Sequence, residues 1–252
     1  MFTDLSEKAA ADGGTPRVSV APQDSLRHGE VHLWCGRIES SVACVNTTGD
    51  LFDKQWTRVR GSAEGRAREA FFAARKALRA LLGHYSGQDP RHLRFAHGAS
   101  GKPYLLLPDV RQPLHFNLSH TDGLFGIAIA STGELGFDVE HLDGGRSDLF
   151  ALADQILTPG ERAEWAGLPA EQRQRAVLRY WTRKEAMLKA SGSGLSVSPD
   201  TVEVGWRRAP KGWTLHSLAP TAGYIACLAA SWPIWRLERR WLMWEDSDDA
   251  MT

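Results

Sequence analysis

Cysteine is scarce in this chain, and the three present, Cys35, Cys44 and Cys227, sit in apolar, strand-like contexts. An odd number without metal-type spacing excludes a disulfide scaffold or a zinc knuckle and predicts buried, reduced thiols. Long apolar runs are missing too. No stretch approaches the ~20 residues that a bilayer span needs, and the N-terminus is polar rather than signal-like. Net charge is also absent: 30 basic residues meet 30 acidic ones, so no global field recruits nucleic acid or an anionic membrane. These absences predict a soluble cytoplasmic protein with neither nucleic acid nor membrane as partner. What remains is 252 residues, enough for one large domain or two small ones with ample surface to bury.

The most informative stretch is Trp181-Thr182-Arg183-Lys184-Glu185-Ala186-Met187-Leu188-Lys189. It closes a run from about Glu171 that lacks Gly and Pro, is rich in helix formers and stops at Gly192. At ~100° per residue, Val177, Leu178, Trp181 and Leu188 gather on one apolar face. Glu185 and Lys189 fall side by side at its edge, where charge is costly unless compensated. An i,i+4 salt bridge is the plain account of such a pair, and only the rest of the sequence argues for more.

Residues 1–28 lack hydrophobic periodicity and read as a flexible N-terminal arm. Val31 to Cys35 reads as the first strand. Arg66 to Leu82 is an amphipathic helix with Phe71, Ala74, Leu78 and Leu82 in phase and Gly83 as its stop. Strands are expected at Arg94–His97, Leu114–His120, Phe125–Ala130 and Leu135–Glu140, the last two as a hairpin through Ser131-Thr132-Gly133. Thr158-Pro159-Gly160-Glu161 signals a helix start. Thr201–Val204, Trp213–His216 and Tyr224–Ala229 are expected to form a closing meander, with a frayed acidic end from Glu245 to Asp249. Phe72–Gly83 and Trp181–Gly192 have equal length, and Arg75, Ala77 and Leu78 match Lys184, Ala186 and Met187. That faint repeat predicts an α+β fold of two similar halves in one chain, a pseudo-dimer, each half a mainly antiparallel sheet packed against helices. The halves would span 29–130 and 131–232, with 233–252 as a C-terminal tail.

Asp138 and Glu140 lie two apart on a strand and so share one face. Their flanks are apolar, and two carboxylates placed side by side there repel unless a cation intervenes. With Glu185 they make three oxygen donors without His or Cys, the ligation magnesium prefers. The Gly98-Ala99-Ser100-Gly101-Lys102-Pro103 loop brings backbone close to a ligand, and Lys102 offers a point charge for phosphate. Asn117, Ser119 and His120 crowd a strand end, where hydrogen-bonding side chains are often functional.

Gly101-Lys102-Pro103, Phe116-Asn117-Leu118-Ser119-His120, Gly136-Phe137-Asp138-Val139-Glu140 and Trp181-x-x-Lys184-Glu185-Ala186-x-x-Lys189 occur in the order and spacing of the Sfp-type 4′-phosphopantetheinyl transferases. The chain resembles that family over roughly residues 30 to 230. The resemblance implies Mg²⁺-dependent transfer of 4′-phosphopantetheine from coenzyme A to a serine of an apo acyl or peptidyl carrier protein, releasing 3′,5′-ADP. It implies Asp138, Glu140 and Glu185 as Mg²⁺ ligands, with Mn²⁺ as the other candidate ion. Glu185 would deprotonate the carrier serine directly or through a water, and Lys189 would stabilise charge on the transferring phosphate, with His120 as a third catalytic candidate. Lys102, Ser119, His120, Lys184 and Lys189 would contact coenzyme A. Arg58, placed by spacing back from Lys102, would supply a further cation.

Phe137 stands where the family often has Ile or Val, a change of core packing only. No motif residue is missing. A metal-dependent nuclease is the competing class, but His141-Leu142 stand where such sites usually carry a lysine, and the basic surplus of duplex binders is lacking. A non-catalytic carrier-binding module is the third class, and a lost ligand or a lost Lys189 would have marked it. A chain holding both halves is expected to be a monomer, with the carrier beside the cleft and exposed side chains such as Met187 as contacts.

Overall fold

The computed structural model describes residues 15–17, 26–38, 64–107, 113–143 and 149–245. Two sheets lie face to face, each covered on its outer side by a long helix. The first begins with β2 (Glu30–Arg37), whose alternation turns Trp34 to one side and Val31, Leu33 and Cys35 to the other. A helix, α1 (Glu64–Ser86), packs Ala74, Leu78, Leu81 and Leu82 onto the Trp34 side. β5 (His115–Thr121) and β6 (Leu124–Ala130) form a hairpin whose turn holds Gly123 at φ 75°. β10 (Arg236–Trp241) lies parallel to β2, giving the order β10-β2-β6-β5.

The second sheet has the order β7-β9-β8, from β7 (Leu135–His141), β8 (Thr214–Leu218) and β9 (Tyr224–Ala230), all antiparallel. Leu135, Phe137 and Val139 of β7 and Ala226, Leu228 and Ala230 of β9 pack inward on β2 and β6. Their alternate residues face outward to the long helix α4 (Ala170–Ser191), where Ala186 and Ala190 meet Cys227 and Ala229. Two short helices, α2 (Leu149–Ile156) and α3 (Pro159–Ala166), complete this side. α3 starts at the expected place, with Thr158 and Glu161 forming a reciprocal capping box. A separate hairpin, β3 (Arg94–His97) with β4 (Pro103–Leu106), carries the Gly98–Gly101 turn. β1 (Thr15–Arg17) pairs with β11 (Met243–Glu245). No helix among the described residues is long and apolar enough to cross a membrane. Cys35 and Cys227 are buried free thiols, and burial raises both pKa values to about 12. Cys44 lies outside the described residues.

Several expectations are corrected. α1 runs through Gly83, whose missing side chain makes room for Pro90 and the Gln88 carbonyl, each within 2.8 Å of where a Cβ would sit. β6 and β7 are not hairpin partners. β6 is buried on both faces and flanked by β2 and β5, so the chain crosses at Ser131–Glu134 into the second sheet. Val202–Val204 is no strand, because side chains take its backbone groups. Lys184 donates to the Val202 carbonyl, Glu161 accepts from Val204 N–H, and Arg183 donates to the Val204 carbonyl. The segment after Trp232, expected as a tail, supplies β10, and residues 15–17 of the expected arm form β1.

Candidate active site

α4 sets three side chains in one i, i+4, i+8 row: Trp181, Glu185 and Lys189, all half-buried along the line facing β7. β7 answers with Asp138 and Glu140 on its outward face. The helix and strand touch at Gly136, where a Cβ would lie 1.9 Å from the Ala186 carbonyl oxygen and 2.4 Å from Ala190 N. Only glycine permits that approach.

β5 closes the third side. Asn117, Ser119 and Thr121, alternate residues on one face, reach β7 through side chains instead of a backbone ladder. Asn117 Oδ1 accepts from Phe137 N–H at 2.8 Å, and Thr121 Oγ1 accepts from His141 N–H at 3.4 Å. Ser119 Oγ donates to Asp138 Oδ1 at 2.9 Å.

Lys189 Nζ donates to the same Asp138 oxygen at 2.7 Å and to Ser119 Oγ at 3.0 Å. The lysine is therefore tied across to the strand. Trp181 Nε1 donates to Glu140 Oε1 at 2.7 Å. The tryptophan orients a carboxylate that a sequence reading gives to metal, a role its place on the apolar face conceals.

The expected ligand triad is only partly assembled. Asp138, Glu140 and Glu185 do not bring their ligand atoms within 4.8 Å of one another; among the described residues that arrangement occurs at Glu30, His32 and Glu238. At the triad, Lys189 holds one Asp138 oxygen and Trp181 one Glu140 oxygen. Asp138 Oδ2, in contrast, is buried with no hydrogen-bond partner among the described residues. An acceptor left so costs about 1–3 kcal/mol, and an all-oxygen donor set around it fits a hard divalent cation. At the other cluster, Arg236 lies 3.2 Å from Glu30 and also pairs with Glu238, as does Arg240. Those carboxylates are already neutralised.

Beside these residues lies a cleft of about 310 Å³, bounded by α1, β5, the Gly101–Pro103 loop and the end of α4. Arg75 of α1 lines it together with Lys102 and Lys189. Burial pulls the Arg75 pKa down to about 10, which still leaves a cation in the cleft. Sequence reading used Arg75 only as a match in the internal repeat. The missed signal is a basic residue four places after Phe71, beside an otherwise apolar stripe. His120 is exposed, and crowding by protein atoms, Arg75 and Lys189 lower its pKa.

Lys102 is at the cleft, but its ammonium donates to the carbonyls of Leu135 at 2.9 Å and Ala190 at 2.7 Å. Lys184 does not reach the cleft at all. It is fully buried against Glu161 at 2.6 Å and donates to the Pro199 carbonyl at 2.9 Å. One residue from Glu185 on a helix is a turn of ~100°, which directs Lys184 toward α3. Arg58 lies outside the described residues. Met187 is half-buried and packs against two core clusters, so it is no exposed contact.

Comparison with known proteins identifies the family. A profile of the 4′-phosphopantetheinyl transferase superfamily matches residues 134–229, the stretch that contains β7, α4 and all but the last residue of β9. The chain is 33% identical to the 4′-phosphopantetheinyl transferase HetI of Nostoc over 219 residues, 83% of this chain and 91% of that protein. It is 34% identical to the 4′-phosphopantetheinyl transferase AcpT of Escherichia coli K12 over 51% of this chain and 60% of that one. A 4′-phosphopantetheinyl transferase of Bacillus subtilis matches at 30% over 47% of this chain and 50% of its own length. With the paired strand carboxylates, the Glu185–Lys189 row and a relative matched along most of both chains, this protein belongs to the 4′-phosphopantetheinyl transferase superfamily and is an enzyme of that class.

Proposed function

We propose that the enzyme moves 4′-phosphopantetheine from coenzyme A to a serine hydroxyl of an apo acyl or peptidyl carrier protein, releasing 3′,5′-ADP. The observation that carries this reading is the meeting of Asp138 and Ser119 with Lys189, which also lines a cleft shared with Arg75 and Lys102. A carboxylate, a hydroxyl and an ammonium joined beside an anion pocket suit phosphoryl transfer, which needs positioning and charge stabilisation more than covalent help.

Arg75, His120 and Lys189 would hold the phosphates of coenzyme A. Asp138, Glu140 and Glu185 would hold Mg²⁺, which when bound supplies charge neutralisation on the pyrophosphate. Glu185, directly or through a water, would take the proton of the carrier serine as its oxygen attacks the pantetheine-bearing phosphorus. The bond from that phosphorus to the bridging oxygen breaks, and the departing 3′,5′-ADP keeps the electron pair. Anion binding would draw Lys189 from Asp138 onto the developing charge, freeing Asp138 Oδ1 for its second role. The two sheet-and-helix layers are read as related halves, supported by α1 and α4 covering opposite outer faces. A single chain with both layers would act as a monomer in the cytoplasm.

The test is intact-mass spectrometry of an apo carrier protein incubated with coenzyme A, Mg²⁺ and the enzyme. The expected result is a gain of one phosphopantetheine, reduced at least ~100-fold in rate by Glu185→Gln and abolished by chelation of the metal. Coenzyme A that does not bind at all would sink the reading.

A further inference from the structure

We propose that Lys102 is a positioning residue, whose ammonium ties the start of β7 to the end of α4 and so sets the spacing between Asp138 and Glu140 on one element and Glu185 and Lys189 on the other. The inference rests on the transferase reading of this site and departs from the phosphate grip that the Gly-Lys-Pro loop suggests.

Two of the three ammonium protons are committed to backbone carbonyls, Leu135 at 2.9 Å and Ala190 at 2.7 Å. Ala190 is the penultimate residue of α4, so its carbonyl has no partner within the helix. The helix then stops at Gly192 in the left-handed region, φ 74°. A cation is favoured there twice over, as a donor to an orphan carbonyl and as a charge at the negative end of the helix dipole.

The levers are short. Leu135 precedes Asp138 by three residues on a strand, and Ala190 follows Lys189 directly. Both anchor points flank the crossing at Gly136, where the backbones of β7 and α4 already touch. Strand and helix thus meet at a fulcrum, and Lys102 pins them beside it. The stem of Lys102 lies against the helix stop, with Cδ 3.7 Å from the point where a Gly192 side chain would begin. Burial lowers the Lys102 pKa, partly countered by nearby Glu134, as expected for an ammonium enclosed by protein. Arg75 and Lys189 line the same cleft.

The experiment compares wild type, Lys102→Met and Lys102→Gln in three readouts. These are coenzyme A affinity by calorimetry without metal, the kcat and KM for carrier modification, and the Mg²⁺ concentration for half-maximal rate. Misplacing reacting groups by about 1 Å costs on the order of 100-fold. Lys102→Met should therefore lower kcat about 10- to 100-fold and raise the Mg²⁺ requirement, with coenzyme A affinity within about twofold. Lys102→Gln, neutral but still a donor, should recover part of kcat and also guards against a Met variant that fails to fold. A loss of coenzyme A affinity of about tenfold or more in both variants, with kcat preserved at saturation, would overturn the proposal and return Lys102 to the phosphates. Wild-type enzyme that transfers nothing would overturn the transferase reading instead, and the affinities would still decide whether Lys102 grips the coenzyme.

Discussion

Trp181 turns its indole N–H onto Glu140 while its ring stays packed against the cluster of α2, α3 and α4. Trp181→Phe keeps an aromatic ring, though a smaller one, and removes one hydrogen bond to a charged acceptor, a contact of about 1.5–3 kcal/mol. We expect an intact fold, a kcat lower by about tenfold or more and a higher Mg²⁺ requirement. A Mg²⁺ titration of the transfer rate checks this, and an unchanged midpoint would remove Trp181 from the ordering of Glu140. The same scale shows why Lys184 misleads in sequence. It sits in the motif beside Glu185, yet its ammonium neutralises the buried Glu161 of the α3 capping box. Motif spacing reports that a residue is needed and is silent on whether it serves the chemistry or the fold.

Among the elements, the joint between β7 and α4 is the one on which the site depends. Gly136→Ala would drive a methyl group into the Ala186 carbonyl, which belongs to a helix backbone and cannot rotate away. We expect a loss of stability of about 1–3 kcal/mol or more, measured by urea unfolding, with activity lost more steeply than stability because the ligand-bearing elements part. Gly83 and Gly192 make the complementary point. Both stand where an amphipathic pattern ends, but Gly192 adopts the left-handed conformation of a helix stop and Gly83 is an interior glycine of α1 that admits Pro90. Hydrophobic period identified both helices, whereas the difference between a stop and a packing gap depends on what lies opposite. The false strand at Thr201–Val204 has the same origin: its apolar alternation is genuine, but Glu161, Arg183 and Lys184 satisfy the backbone that a neighbouring strand would have taken.

Across the whole molecule, β10 is the strand that ties the C-terminal segment back to the first sheet. It pairs residue by residue with β2 from Arg236 against Glu30 to Trp241 against Cys35. Glu30 and His32 are buried, and β10 supplies Arg236 and Glu238 as their partners. Deleting residues 233–252 would expose the β2 edge, remove Leu242 from the core and leave the buried Glu30 carboxylate without Arg236. We expect a sharply lower melting temperature or aggregation of the truncated protein, read by thermal unfolding and soluble yield. An unchanged melting temperature would show that β10 is dispensable.

The sequence by itself determined the local chemistry. Period and breakers placed α1 and α4, period-2 alternation put Asp138 and Glu140 on one face, and four motifs in order selected the enzyme family, because each of these is written within a few consecutive residues. Tertiary structure alone decided the rest. It brought Ser119 and Lys189 onto Asp138, Trp181 onto Glu140 and Arg75 into the cleft, and it turned Lys184 inward and Lys102 onto two carbonyls. It also made β10 a central sheet's edge in place of a tail and separated β6 from β7. These outcomes join residues far apart in sequence, 70 positions for Lys189 and Ser119 and 88 for Lys102 and Ala190, and depend on which neighbour satisfies each backbone group and each buried charge. No local pattern encodes that choice.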